Sequence, residues 1–102
     1  NTSEIFAKAI TTSDKYMVLS YAGGIVGSSS DGKVSNCVNT GKIHAYAFAD
    51  QKTAYTSICA AGGIIAITNK SMSDVGDNTG EVVAEGNDKT NIYQDSIIAK
   101  NG

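Results

Sequence analysis

The chain has 102 residues, 18% of them charged, with a formal net charge of −2. That length suits a single domain or less, with a modest core. No run of like charge would steer it to nucleic acid or an anionic membrane, and no apolar stretch approaches the ~18 residues of a membrane span.

In chain order, Ile5-Phe6-Ala7-Lys8-Ala9-Ile10 alternates with period two, which predicts a strand. A polar connection over 11–15 precedes a second predicted strand, Tyr16 to Tyr21. The pair Gly23-Gly24 then lets the backbone bend or approach a neighbour closely before Ile25. Ser28-Ser29-Ser30-Asp31-Gly32 reads as a loop, Lys33 to Val38 as a third strand, and Asn39-Thr40-Gly41 as a corner suited to the left-handed conformation.

Nearly the same text returns. Gly23-Gly24-Ile25 recurs as Gly62-Gly63-Ile64 and Asn39-Thr40-Gly41 as Asn78-Thr79-Gly80, both 39 positions on. Ile43-His44-Ala45-Tyr46-Ala47-Phe48-Ala49 repeats the opening strand, with Val82, Val83, Ala84 and Glu85 as the third version. Matching Ile97 to Ile58 puts Leu19, Ile58 and Ile97 in one predicted core column, with Ile25 over Ile64 in another. Ser71 to Val75 aligns with the third strand after a slip of one residue, which sets Val75 against Cys37. The units run about 1–38, 39–77 and 78–102, the last incomplete, within one repeat domain. The first residues already belong to a copy, so the chain reads as a piece of something longer.

Three short strands and three turns per 38–39 residues predict an all-β fold, a parallel β-helix or β-solenoid whose rungs bury their apolar faces only by stacking. A small β-sandwich is the alternative. Ile43, Ala45, Ala47 and Ala49 are expected inside, so alternation sends His44, Tyr46 and Phe48 outward, with Phe6, Lys8, Ile10, Val83 and Glu85 on the same face. The polar connections after Ile10 and Phe48 are the natural cover for this strip. Open, it is a contact surface, and Phe6, His44, Tyr46 and Phe48 are its candidate partner-binding residues.

Gly24-Ile25-Val26-Gly27, followed by Asn36-Cys37-Val38-Asn39-Thr40-Gly41, resembles the GLUG motif, a short repeat of bacterial secreted and surface proteins. Isoleucine stands here for the leucine of the Gly-Leu-any-Gly signature. The second copy departs further, because Gly63-Ile64-Ile65-Ala66 lacks the last glycine. The resemblance implies a parallel β-solenoid in an exported bacterial protein, either an adhesin-like chain or a non-catalytic region of a large peptidase. It carries over Gly24, Gly27, Asn36, Asn39 and Gly41 as structural positions only. Gly23, Gly62, Gly63, Asn78 and Gly80 join them through the repeat.

The residues point to no catalysis and no cofactor. His44 is the only histidine, and no cysteine or second histidine stands at ligand spacing. Ser28 to Ser30 lie in no Gly-x-Ser-x-Gly elbow. Asp74, Asp77 and Asn78 match no calcium-loop spacing and read as an Asx-rich turn. Cys37 and Cys59 stand at unlike points of the repeat and read as small buried hydrophobes. The expected function is a structural and interaction module, outside the cell or on its surface, that spaces or displays domains and mediates adhesion. Its expected partners are a host or bacterial glycan or protein and adjoining domains of the parent chain, with no nucleic acid and no membrane insertion. A carbohydrate-binding module or the repeat region of a secreted peptidase is the alternative.

Overall fold

The computed structural model describes residues 1–11, 17–30, 32–50, 56–70 and 72–101. Among them are eleven strands and no helix: β1 (Ile5–Ile10), β2 (Leu19–Gly23), β3 (Val26–Ser29), β4 (Cys37–Asn39), β5 (Ile43–Phe48), β6 (Ser57–Gly62), β7 (Ile65–Thr68), β8 (Gly76–Asn78), β9 (Val82–Gly86), β10 (Thr90–Asp95) and β11 (Ile98–Asn101). The strands form four sheets, ordered β1-β5-β9, β2-β6-β10, β3-β7-β11 and β4-β8. Every pairing is parallel, unlike the antiparallel hairpins of a small sandwich. The chain visits the four sheets in turn and then returns to the first. Its shortest dimension, 15 Å, matches three strands stacked at about 4.8 Å.

The chain thus lays down four strands per pass, not three. The additional one is β3, whose Ser28-Ser29 reads as loop by composition but pairs in register with Ile67-Thr68 of β7. The fourth strand is also shorter than the predicted span from Lys33. Cys37 pairs with Gly76 rather than Val75, without a slip. The slip falls just before the ladder, where the left-handed corners Asn36 (φ 54°) and Asp74 (φ 57°) are one residue out of step. Gly76, at φ 146°, takes up the extra residue, and Cys37 and Val75 still share one core.

The first and second sheets enclose a thin core. Ile43, Ala45, Ala47 and Ala49 are fully buried and pack with Val18, Ala22, Cys59 and Ala61. Alanine suits this face because the second sheet lies close behind it, close enough for the Ser20 hydroxyl to donate to the Ala7 carbonyl at 2.9 Å. The third and fourth sheets enclose a second core, in which Ile64, Ile65 and Val75 pack with Val26, Val34, Cys37, Met72, Ile97 and Ile98.

The predicted column of Leu19, Ile58 and Ile97 does not form. Leu19 pairs with Ile58, but the third member is Asn91, and Leu19 is exposed on the outer face of the second sheet. Ile97 instead follows Ile64, whose amide donates to the Ile97 carbonyl just as the Ile25 amide donates to that of Ile64. The reason is a shortened connection. Paired residues of β6 and β10 stand 33 positions apart, whereas those of β5 and β9 stand 39 apart. Residues 87–89 replace the longer 49–56; the Thr90 amide and hydroxyl close this tight turn by donating to the Asn87 carbonyl, and the Asn87 side-chain amide anchors it to the preceding pass through the Ala49 backbone.

The two cores meet at a ladder of asparagines. Asn1 donates through Nδ2 to Asn39 Oδ1 at 3.0 Å, and Asn39 donates in the same way to Asn78 at 2.7 Å. Each amide also bonds the residue two positions on: Asn39 gives Nδ2 to the Gly41 carbonyl and takes its N–H, and Asn78 does the same with Gly80. Asn39 is fully buried, and these bonds are what make its burial tolerable. Gly41 and Gly80 do not adopt the left-handed conformation expected of the corner. They are glycines because a side chain would strike the Ser3 and Gly41 carbonyls of the preceding pass. Gly24 and Gly63 face the same ladder from the other corner, where a Cβ would strike the next pass and the Asn39 or Asn78 amide.

Three outcomes follow. Asn39→Ala strands buried partners in the ladder, at ~1–3 kcal/mol for each unpaired group, so urea melts should lose about 2–4 kcal/mol. Gly63→Ala forces a backbone shift and should cost about 1–3 kcal/mol or more. Gly27→Ala, at a site where Ala66 already stands in the next pass and the nearest backbone atom is 3.8 Å away, should fall within about 0.5 kcal/mol of wild type.

Candidate interaction surface

Alternation along β1, β5 and β9 sends one residue set into the first core and the other outward. Register sets Phe6, His44 and Val83 in one outer column, Lys8, Tyr46 and Glu85 in the next, and Ile10 beside Phe48 in a third. All four candidate contact residues, Phe6, His44, Tyr46 and Phe48, therefore lie on one face. Phe6 is 53% exposed, Ile10 52% and Phe48 40%, so the strip is open at both ends of its strands. The expected cover is the pair of connections after Ile10 and Phe48. Their central residues, 12–16 and 51–55, lie outside the described residues.

The polar groups on this face are arranged around its rings. Phe6 meets His44 edge to face, with centroids 4.7 Å apart and an interplanar angle of 67°. The Lys8 ammonium lies 5.8 Å from the centre of the Tyr46 ring, within cation–π range. His44 Nε2 stands 2.7 Å from Glu85 Oε1, an ion pair when the imidazole is protonated, although the nitrogen makes no aligned hydrogen bond. Surface pairs of this kind contribute at most about 1 kcal/mol. Their consequence here is positional, because they hold the charged ends of Lys8 and Glu85 close to the face.

Among the described residues, no group of three or more His, Cys, Asp or Glu is placed to hold a metal ion. Asn78 is committed to the ladder, while Asp74 and Asp77 are exposed. Gly32, Lys33, Val34, Lys70, Met72 and Ser73 line a shallow cavity of about 210 Å³ between the loops that lead into β4 and β8. The structural positions of the motif gather elsewhere: Gly24, Asn39, Gly41, Gly63, Asn78 and Gly80 around the amide ladder, and Asn36 at the left-handed corner before β4.

Both cysteines are free thiols. Cys59 is buried, as expected, but Cys37, the first residue of β4, is only half-buried. Burial pushes the Cys59 thiol above its ordinary range; contacts with the Glu85 and Ala47 backbone offset part of this, and the Glu85 charge adds to it. A raised folded-state value means the neutral thiol is favoured in the fold. Its stabilisation is complete below the ordinary thiol range, near pH 8.5, and is lost as pH rises through the folded value. Cys37 should therefore alkylate readily under native conditions while Cys59 stays unlabelled until denaturant is added. Cys59→Ser, which copies the paired Ser20, should flatten the decline in stability above about pH 8.5.

No curated protein and no solved structure matches the chain. The family comparison finds the GLUG motif at residues 19–43, from the first residue of β2 to the first of β5. Those residues contain the Gly23-Gly24 corner, the strands β3 and β4, and the Asn39 corner that the ladder joins to it. Residues 19–43 therefore carry a GLUG motif, which spans one complete excursion through the third and fourth sheets.

Proposed function

We propose that the chain is a β-solenoid repeat module of an exported bacterial surface protein, without catalysis of its own, that holds or spaces other domains and makes contacts through the outer face of its first sheet. The observation that carries this reading is the open strip of Phe6, Ile10 and Phe48 with Tyr46 and His44 between them, set on parallel strands whose inner side is packed. Aromatic rings on a fixed sheet supply contact area at low entropic cost, since the backbone beneath them is already ordered. A glycan or a protein on a host or bacterial surface is the partner class this suits. The GLUG motif supports the repeat-module part of the reading.

A carbohydrate-binding role is favoured by one feature, the alternation of rings with hydrogen-bonding groups (Lys8 against Tyr46, Glu85 against His44). Sugars present apolar faces and hydroxyl edges together, so such a strip meets both. Tyr46→Ala combined with Phe48→Ala should reduce binding to a glycan array or an immobilised surface protein at least about tenfold, a loss of about 1.4 kcal/mol. Far-UV circular dichroism should be unchanged. Unfolding of this variant would assign the rings to stability, and binding equal to wild type would remove the strip as the contact surface.

A further inference from the structure

We propose that the outer face of the first sheet docks against the same face of a second copy of this chain, about a two-fold axis running along the strands. The proposal rests on the reading of that face as a contact surface and names its partner. Its warrant is the order of charge down the middle column, Lys8, then Tyr46, then Glu85. A two-fold along the strands reverses the order of strands but keeps position along them. Lys8 of each copy then meets Glu85 of the other, and Tyr46 meets its counterpart on the axis. The flanking columns agree: Phe6 lies against Val83, while His44 and Phe48 each face their own counterparts. A two-fold across the strands would instead set Lys8 on Lys8 and Glu85 on Glu85, so charge selects one geometry and rejects the other.

The charged ends are placed for this. Lys8 is held over the Tyr46 ring, and the Glu85 side chain, beside His44, is 53% exposed. Sheets packed face to face stand about 10 Å apart, a gap that a lysine and a glutamate span together. Three strands of five or six residues make a face of roughly 14 by 20 Å, about 280 Å² per copy, against the ~800 Å² of a standard interface. An interface this small belongs to a weak, transient association.

Sedimentation equilibrium from about 0.05 to 2 mM reads such an association directly. The expected result is a reversible dimer that weakens with salt. Lys8→Glu or Glu85→Lys alone should raise the dimer Kd at least about tenfold, by setting like charges together, and the combined Lys8→Glu/Glu85→Lys should return it to within about threefold of wild type. A chain that stays monomeric throughout overturns the proposal, as do single reversals without effect or a swap that does not restore, each read on variants with native circular dichroism. If the chain is monomeric yet Tyr46→Ala/Phe48→Ala loses surface binding, the second copy falls and the contact surface stands. If it is monomeric and that variant binds like wild type, both fall.

Discussion

The structure depends on the hydrogen bonds between successive passes at the asparagine ladder. A parallel sheet already pairs its own backbone, but the corners between sheets leave backbone groups that no strand satisfies. Asn39 meets this need with one amide: its oxygen takes the Gly41 N–H and the amide above, and its nitrogen serves the Gly41 carbonyl and the amide below. Such a side chain tolerates only one register. Shifting one pass by a residue would leave a buried amide unpaired, at a cost comparable to burying the group alone. The alanine-lined first core discriminates less, because neighbouring alanines are alike.

The ladder also explains why two glycine-containing phrases far apart in the chain belong together. Gly24 and Gly63 are pressed against the Asn39 and Asn78 amides, while Gly41 and Gly80 let the asparagine corner pass under the one before it. The two corners touch and pinch each pass into two lobes with separate cores. The GLUG motif at residues 19–43 is one such lobe with its closure. On this view the motif describes a closed excursion of the backbone, and Gly27 matters less than the signature implies, since nothing crowds it.

What could be read in the sequence follows from which physical signals are local. Alternation along Ile43 to Ala49 and the return of Asn-Thr-Gly located the first sheet's inner and outer faces and the corner residues. β3 was hidden because its pairing comes from the neighbouring pass and not from its own composition; Gly27-Ser28-Ser29 has no strand propensity to display. The false column through Ile97 arose from carrying an offset of 39 past a connection that had shortened. Ile97-Ile98-Ala99 repeats Ile64-Ile65-Ala66 more faithfully than it repeats the residues from Ile58, but that match requires a deletion, which no fixed period contains. The left-handed residues are Asn36 and Asp74, three and four positions before the Asn39 and Asn78 corners expected to hold that conformation; asparagine and aspartate suit it at several points of this polar stretch, and only the backbone tells them apart.

The outer strip and the thin core are one constraint seen from two sides. Alanine packs well between closely spaced sheets but is a poor strand former, so β1, β5 and β9 gain little from their inner residues. Apart from the inward Ile5, Ile43 and Val82 column, the larger side chains of this sheet stand outside, and there they meet across strands: Phe6 on His44, Lys8 on Tyr46. Cross-strand pairs of this sort contribute about 0.2–1 kcal/mol each. The first sheet therefore displays rings partly because it needs them to be a sheet. A contact surface built on such residues is stiff before any partner arrives, and its loss must be judged against an intact fold, because the same side chains serve both ends.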